Sequence, residues 1–104
     1  MTEIAESDVV GFKLAGGEDA QAIAEAVRIR YPDARIEVFP AYFSVERAGR
    51  IDIDMREVSE TLGRPYGVSE FMVTMSSYHG RIEVTGERVT LSAEIARRDR
   101  EGEP

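Results

Sequence analysis

Cysteine and tryptophan are absent from the 104 residues, and there is a single histidine, His79. Without thiols the chain cannot carry a disulfide framework, an iron–sulfur cluster, a zinc knuckle or a cysteine nucleophile, and a reducing cytoplasm is its simplest home. One histidine leaves any metal site to oxygen ligands, which speaks against a catalytic transition-metal centre. Positive charge is also scarce: 13 Lys and Arg stand against 20 Asp and Glu, a net charge of −7. That balance opposes binding to nucleic acid or to anionic lipid. No apolar run approaches the ~18 residues of a membrane span, and Met1 to Ser7 lacks the basic and apolar regions of a signal peptide. The expectation is a soluble, cytoplasmic protein that touches neither membrane nor nucleic acid.

What is present is enough for one core. With 42% hydrophobic residues, a chain of this length buries roughly 65% of the surface its unfolded form exposes. One domain is expected over residues 8–92, between an acidic N-terminal tail (1–7) and a charged C-terminal tail (93–104) whose composition cannot offset the entropy of ordering it.

Apolar periodicity divides that domain into elements. Val9, Val10, Phe12 and Leu14 read as a strand that stops at Gly16-Gly17. Ala20, Ile23, Ala24, Val27 and Tyr31 form the stripe of an amphipathic helix over 18–31, acidic in its first turn, basic in its last, and ended by Pro32. Alternation predicts strands at 35–39, 42–47 and 50–53, and the short links Pro40-Ala41 and Ala48-Gly49 predict an antiparallel meander. Asp54 with Glu57 three residues on predicts a capping box at the start of a second helix, with Gly63 as its stop. Pro65 keeps Arg64 extended, Val68 to Glu70 adds at most one turn, and Phe71, Val73 and Met75 alternate with Met72, Thr74 and Ser76 as a strand through Tyr78. Gly80 breaks or bulges it, and 81–84 with 88–91 closes the domain as a hairpin. The fold class is α+β: mixed or antiparallel sheets with two to three helices, in the order βαβββαβββ.

Familiar catalytic patterns fail one by one. Asp52 and Asp54 share a strand face and could hold a cation, but a solvated face ending in a helix cap accounts for them. Ser76 and Ser77 near His79 offer a hydroxyl and a base without a nucleophile elbow, and a triad is made by geometry rather than spacing. Ala15-Gly16-Gly17 has neither the glycine spacing nor the lysine of a P-loop, and Glu18 and Asp19 would repel a phosphate. What remains is surface. Thr74, Ser76 and Tyr78 are expected to project together, beside His79, Gly80 and Arg81. An exposed Tyr and Arg among small hydroxyl residues is the composition of a protein-docking patch, although an ordinary exposed strand edge has the same pattern. Three readings are open: a binding module, a small enzyme using Asp52, Asp54 or His79, and an acidic adaptor with an unrelated partner.

Three segments carry a resemblance, in order and in register over about residues 8–92. Asp54 to Thr61 followed by Leu62-Gly63-Arg64-Pro65-Tyr66 is similar to the helix and Leu-Gly-Arg-Pro-aromatic segment of the effector (coupling or regulatory) proteins of bacterial multicomponent diiron monooxygenases. Tyr31 to Pro40 resembles the helix exit and strand of the phenol and toluene members, and Ser76-Ser77-Tyr78-His79-Gly80-Arg81 resembles the Ser-Ser-x-x-Gly-Arg stretch of the methane and alkene branch. The resemblance implies an α/β fold and a cofactor-free, non-catalytic component. Its partner would be the diiron hydroxylase, in a system with a reductase and in some cases a ferredoxin. It further implies that docking tunes substrate and dioxygen access and couples electron transfer to hydroxylation or epoxidation. Thr74, Ser76, Ser77 and Tyr78 carry over as contact residues, and His79, Arg81, Arg64 and Tyr66 complete the candidate docking set. Tyr78 stands where the methane-type member has Thr, and the N-terminal segment is shorter than that member's extension, so a small alkene or aromatic substrate is expected rather than methane.

Overall fold

The computed structural model describes residues 8–93, and the expectations placed on 1–7 and 94–104 lie outside them. Among the described residues the chain forms β1 (Val9–Ala15), α1 (Glu18–Arg30), β2 (Arg35–Val38), β3 (Tyr42–Ala48), β4 (Arg50–Asp54), α2 (Met55–Leu62), α3 (Val68–Thr74), β5 (Met75–His79), β6 (Arg81–Thr85) and β7 (Arg88–Ser92). The strands make two antiparallel sheets, ordered β2-β3-β1-β5 and β4-β7-β6. The α+β class holds. No helix among the described residues is long and apolar enough to cross a membrane.

The first sheet follows from alternation. Phe12 lies opposite Val45 and Leu14 opposite Phe43, so these four side chains share the inner face and are buried, while Lys13 and Ser44 face out. Helix α1 buries Ala20, Ile23, Ala24 and Val27 as its stripe requires, and Ala22 and Ala26 as well. Burying Ile23 and Val27 this completely contributes roughly 1.5–3 kcal/mol each. The closing hairpin pairs Ile82 with Leu91 and Val84 with Val89.

The expected three-strand meander is corrected. β2 pairs with β3, but β4 leaves for the second sheet and pairs with β7. The chain changes sheet at Gly49, whose φ of 94° turns it out of the first ladder. There Gly49 donates its N–H to the Asp8 carbonyl and accepts the Ala93 N–H, both at 2.9 Å. Ala93, assigned from sequence to the C-terminal tail, is buried at this joint.

The second crossing is at Gly80, between β5 in the first sheet and β6 in the second. Its φ is 114°, and a Cβ there would lie 2.9 Å from Val10 Cγ1 and 3.1 Å from the Ser92 carbonyl oxygen. Only glycine fits both the dihedral and the space.

Two local expectations change at the helices. Asp54 does cap α2, accepting the Arg56 N–H at 2.9 Å. Glu57 does not complete a capping box, because its carboxylate is held by Arg30 at 2.7 Å, joining α2 to α1. Residues 71–74, which alternate like a strand, form the second half of α3. Phe71 is fully buried there, edge-on to Phe12 with ring centroids 5.8 Å apart. The tertiary contact overrides the local pattern.

A polar joint ties the two sheets. The Tyr31 hydroxyl accepts the Asp52 N–H at 2.9 Å, Asp52 accepts from the Thr90 hydroxyl at 2.6 Å and from Arg50 at 3.1 Å, and the Arg47 guanidinium lies 4.2 Å over the Tyr31 ring. Asp52 is thus a half-buried hub, not part of a solvated face.

Candidate functional site

Among the described residues, strand β5 is an edge of the first sheet, bonded to β1 on one side only, and Ser76 through His79 are exposed. Its register is not the simple alternation expected. His79 lies opposite Gly11, Tyr78 opposite Phe12 and Ser77 opposite Lys13, but Met75 lies opposite Leu14, so Ser76 is an extra residue in a bulge. The Ser76 hydroxyl donates to the Lys13 carbonyl at 3.4 Å. The bulge inverts the alternation beyond it. Ser77 and His79 stand on the outer face, while Tyr78 leans over the edge of the inner face and stays 46% exposed.

The outer face is flattened under His79. A Cβ on Gly11 would lie 2.5 Å from the Val45 carbonyl oxygen, 2.9 Å from Glu46 Cγ and 3.0 Å from His79 Cε1. The glycine therefore lets the imidazole and the Glu46 chain lie down on the sheet.

The eight candidate residues do not all meet. Ser76, Ser77, Tyr78 and His79 form one exposed strand, and Arg81 follows across Gly80, 3.7 Å from Glu83. Thr74 is corrected from strand to the last residue of α3, where it is half-buried and its hydroxyl donates to the Glu70 carbonyl at 3.1 Å. Tyr66 is corrected from surface to core: it is 5% exposed, with its hydroxyl 2.9 Å from Thr74 Oγ1. Burial holds the Tyr66 phenol above its ordinary pKa despite the Thr74 hydrogen bond, so it is a donor at neutral pH. Arg64 lies apart, reaching Asp19 in the first turn of α1 at 2.7 Å.

Sequence reading passed over Met72 and Val73. Helix α3 buries Phe71 and leaves Met72 39% and Val73 84% exposed. With Tyr78, they concentrate exposed apolar area in the α3–β5 segment, the kind of patch that marks a protein contact. A signal was available, since Val73, two residues after Phe71, cannot share its burial if the segment is helical.

The carboxylates are committed to structural partners. Hydrogen bonds from the Arg56 side chain and from its N–H hold Asp54 below the usual carboxylate range. Burial pushes Asp52 up, but the hydrogen bonds from Thr90 and Arg50 and the charges of Arg50 and Arg88 outweigh it, and its net shift is down. A cleft of about 320 Å³ lined by Asp54, Arg56, Thr85, Glu87 and Arg88 presents matched ion pairs. Among the described residues no three His, Asp or Glu side chains converge as metal ligands. No hydrogen bond joins Ser76 or Ser77 to His79 among them, so the spacing does not make a nucleophile and base.

This two-sheet domain is found in regulatory components of monooxygenases. It superposes on 97% of a chain in a structure described as the phenol hydroxylase–regulatory protein complex, with a TM-score of 0.73, 26% identity and 81% of this chain covered. It also superposes on 78% of the soluble methane monooxygenase regulatory protein B, with a TM-score of 0.71, 28% identity and 100% of this chain covered. In sequence it is 30% identical over 101 residues to the methane monooxygenase regulatory protein B of Methylococcus capsulatus (strain ATCC 33009 / NCIMB 11132 / Bath), covering 91% of this chain and 72% of that protein. It is 27% identical over 85 residues to the phenol 2-monooxygenase stimulatory component DmpM of Pseudomonas sp. (strain CF600), covering 82% and 94%. The MmoB/DmpM family model matches residues 8–92. The chain belongs to the MmoB/DmpM family.

Proposed function

We propose that this chain is the regulatory, non-catalytic component of a multicomponent monooxygenase and that it docks on the hydroxylase that performs the oxidation. The observation that carries this reading is the family match over 8–92 together with the 0.73 superposition on a complex of phenol hydroxylase and its regulatory protein. The relatives are named regulatory or stimulatory components, which is the role proposed here.

The docking surface proposed is the free edge of β5 with Ser76, Ser77, Tyr78 and His79, flanked by Met72 and Val73 of α3 and by Arg81. Exposed apolar and aromatic side chains beside small hydroxyl residues support it. The mechanism is differential binding: the protein shifts the hydroxylase between conformations only by as much as it prefers one of them. Substrate and dioxygen access and the coupling of electron transfer are the properties we expect it to tune, on a small alkene or aromatic. We place it in the cytoplasm on its cysteine-free composition.

The test is titration into the purified hydroxylase and reductase, measuring product formed per reduced nicotinamide consumed. Product and coupling rising to saturation support the reading. A flat response in a demonstrably active system leaves an acidic adaptor domain with another partner.

A further inference from the structure

The Leu62-Gly63-Arg64-Pro65-Tyr66 segment contributes nothing to the exposed patch, yet it is tied down along its length. Gly63 closes α2 with φ 80° and bonds to the Ser59 carbonyl at 2.8 Å. Arg64 grips Asp19 of α1. The Ser59 hydroxyl accepts the Tyr66 N–H at 2.9 Å and lies 2.9 Å from the Met55 carbonyl and 3.1 Å from that of Tyr66, sharing its one proton between them. Pro65 adds no donor and fixes φ between the two anchors. The segment is a strap on the helical layer, and what it holds out is the Tyr66 side chain.

That side chain ends where α3 becomes β5. The Thr74 proton is given to the Glu70 carbonyl, so Thr74 Oγ1 accepts from the Tyr66 hydroxyl, in a relay Tyr66 to Thr74 to Glu70. Met75, the next residue, already pairs with Leu14, and the bulge at Ser76 follows. The junction needs such a tie. A helix of seven residues does not sustain itself, and Val73 and Thr74 are β-branched residues in a strand-like pattern. The buried Phe71 ring, the half-buried Val68 packed against the core and the Glu70 carboxylate on the Gly67 N–H, at 2.9 Å, act with the Tyr66 bond to hold α3. If the last turn unwound, the start of β5 would slip against β1 and the exposed residues beyond the bulge would change face.

We propose that Tyr66 is a positioning residue: its hydroxyl, through Thr74, fixes the helix-to-strand junction and thereby the register in which β5 presents Ser76 to His79 to the hydroxylase. The docking part of this rests on the function proposed above, whereas the junction part does not.

The test compares Tyr66→Phe, Thr74→Val, the double variant and Thr74→Ser. In the free protein, amide hydrogen exchange of β5 is measured against that of β4 and β7, and dissociation constants are measured on the purified hydroxylase. Tyr66→Phe keeps the buried ring. It is expected to speed exchange in β5 by about three- to tenfold more than in β7, and to weaken hydroxylase binding by a similar factor, the range that one lost hydrogen bond spans. The double variant is expected to be no worse than the worse single one, and Thr74→Ser, which keeps the hydroxyl, to behave as wild type. Equal changes in β5 and β7 would overturn the proposal, as would additive singles or an unchanged dissociation constant with β5 loosened. If the wild-type protein does not bind the hydroxylase, the docking reading fails, and β5 exchange in the free protein still decides whether Tyr66 holds the junction.

Discussion

Val73 touches little of its own chain, so a charge there is a clean probe of what it touches elsewhere. Val73→Asp is expected to change the stability of the free protein by less than about 0.5 kcal/mol, as surface substitutions do. Hydroxylase affinity is expected to fall at least about tenfold, because the new carboxylate is desolvated on docking. Calorimetry of the free protein and titration on the hydroxylase separate the two, and unchanged affinity removes α3 from the proposed interface. Gly80 is the opposite kind of residue, crowded by its own chain where a side chain would start and held at a φ of 114°. Gly80→Ala combines that strain with a Cβ 2.9 Å from Val10, and is expected to cost about 2–3 kcal/mol in denaturant unfolding. Neither residue's importance was legible beforehand. Val73 looked like one more inward strand residue, and Gly80 looked like a break whose partners, Val10 and Ser92, are distant in sequence.

Helix α2 depends on its first residue more than on its propensities. Asp54 caps the Arg56 N–H and also meets the Arg56 and Arg88 guanidinium groups at 3.3 and 3.6 Å. Asp54→Ala is expected to cost about 1–2 kcal/mol, the upper part of the range for a lost N-cap. Asp54→Asn, which keeps a cap oxygen, should cost less, and chemical denaturation of the two variants checks the order. Helix α3 depends instead on tertiary ties, of which the buried Phe71 ring is the largest. Phe71→Ala is expected to cost about 3–5 kcal/mol and to abolish protection of the α3 amides in hydrogen exchange. Retained protection would mean that the hydrogen bonds at Gly67 and Thr74 suffice alone. The contrast explains which element was legible. α2 announces itself by Asp54 and Gly63 at its ends, whereas α3 carries a strand pattern and is held helical by tertiary ties, the largest being Phe71 on Phe12, 59 positions away by the numbering.

For the molecule as a whole, acid is the informative perturbant. Asp52, Asp54 and Asp33 are all held below the ordinary carboxylate pKa in the folded protein. Each lowered value means that the unfolded chain takes up its proton first, so the stability they contribute is complete above the unfolded pKa near ~4 and is lost as pH falls through the folded values. Thermal midpoints are expected to be flat from about pH 5 to 8 and to fall below about pH 4, and Asp52→Asn should lower the plateau while making the acid limb shallower. An acid limb as steep in that variant as in the wild type would assign the dependence to other groups. The hub at Asp52 also shows where sequence stops. Composition, the α1 stripe, the inward alternation of β1, β3 and β4 and the 81–91 hairpin were determined locally, because each is a period or a turn carried by neighbouring residues, and the resemblance of the motifs in register was enough to reach the family. The division of the strands into two sheets, the bulge at Ser76 that turns Tyr78 to the edge, the burial of Tyr66 and the helical form of 71–74 were decided only by tertiary structure. Apart from Tyr66, whose bonds reach Ser59 and Thr74 seven and eight residues away, each depends on a contact between residues far apart in the chain, whose free energy exceeds the small local preference it overrules.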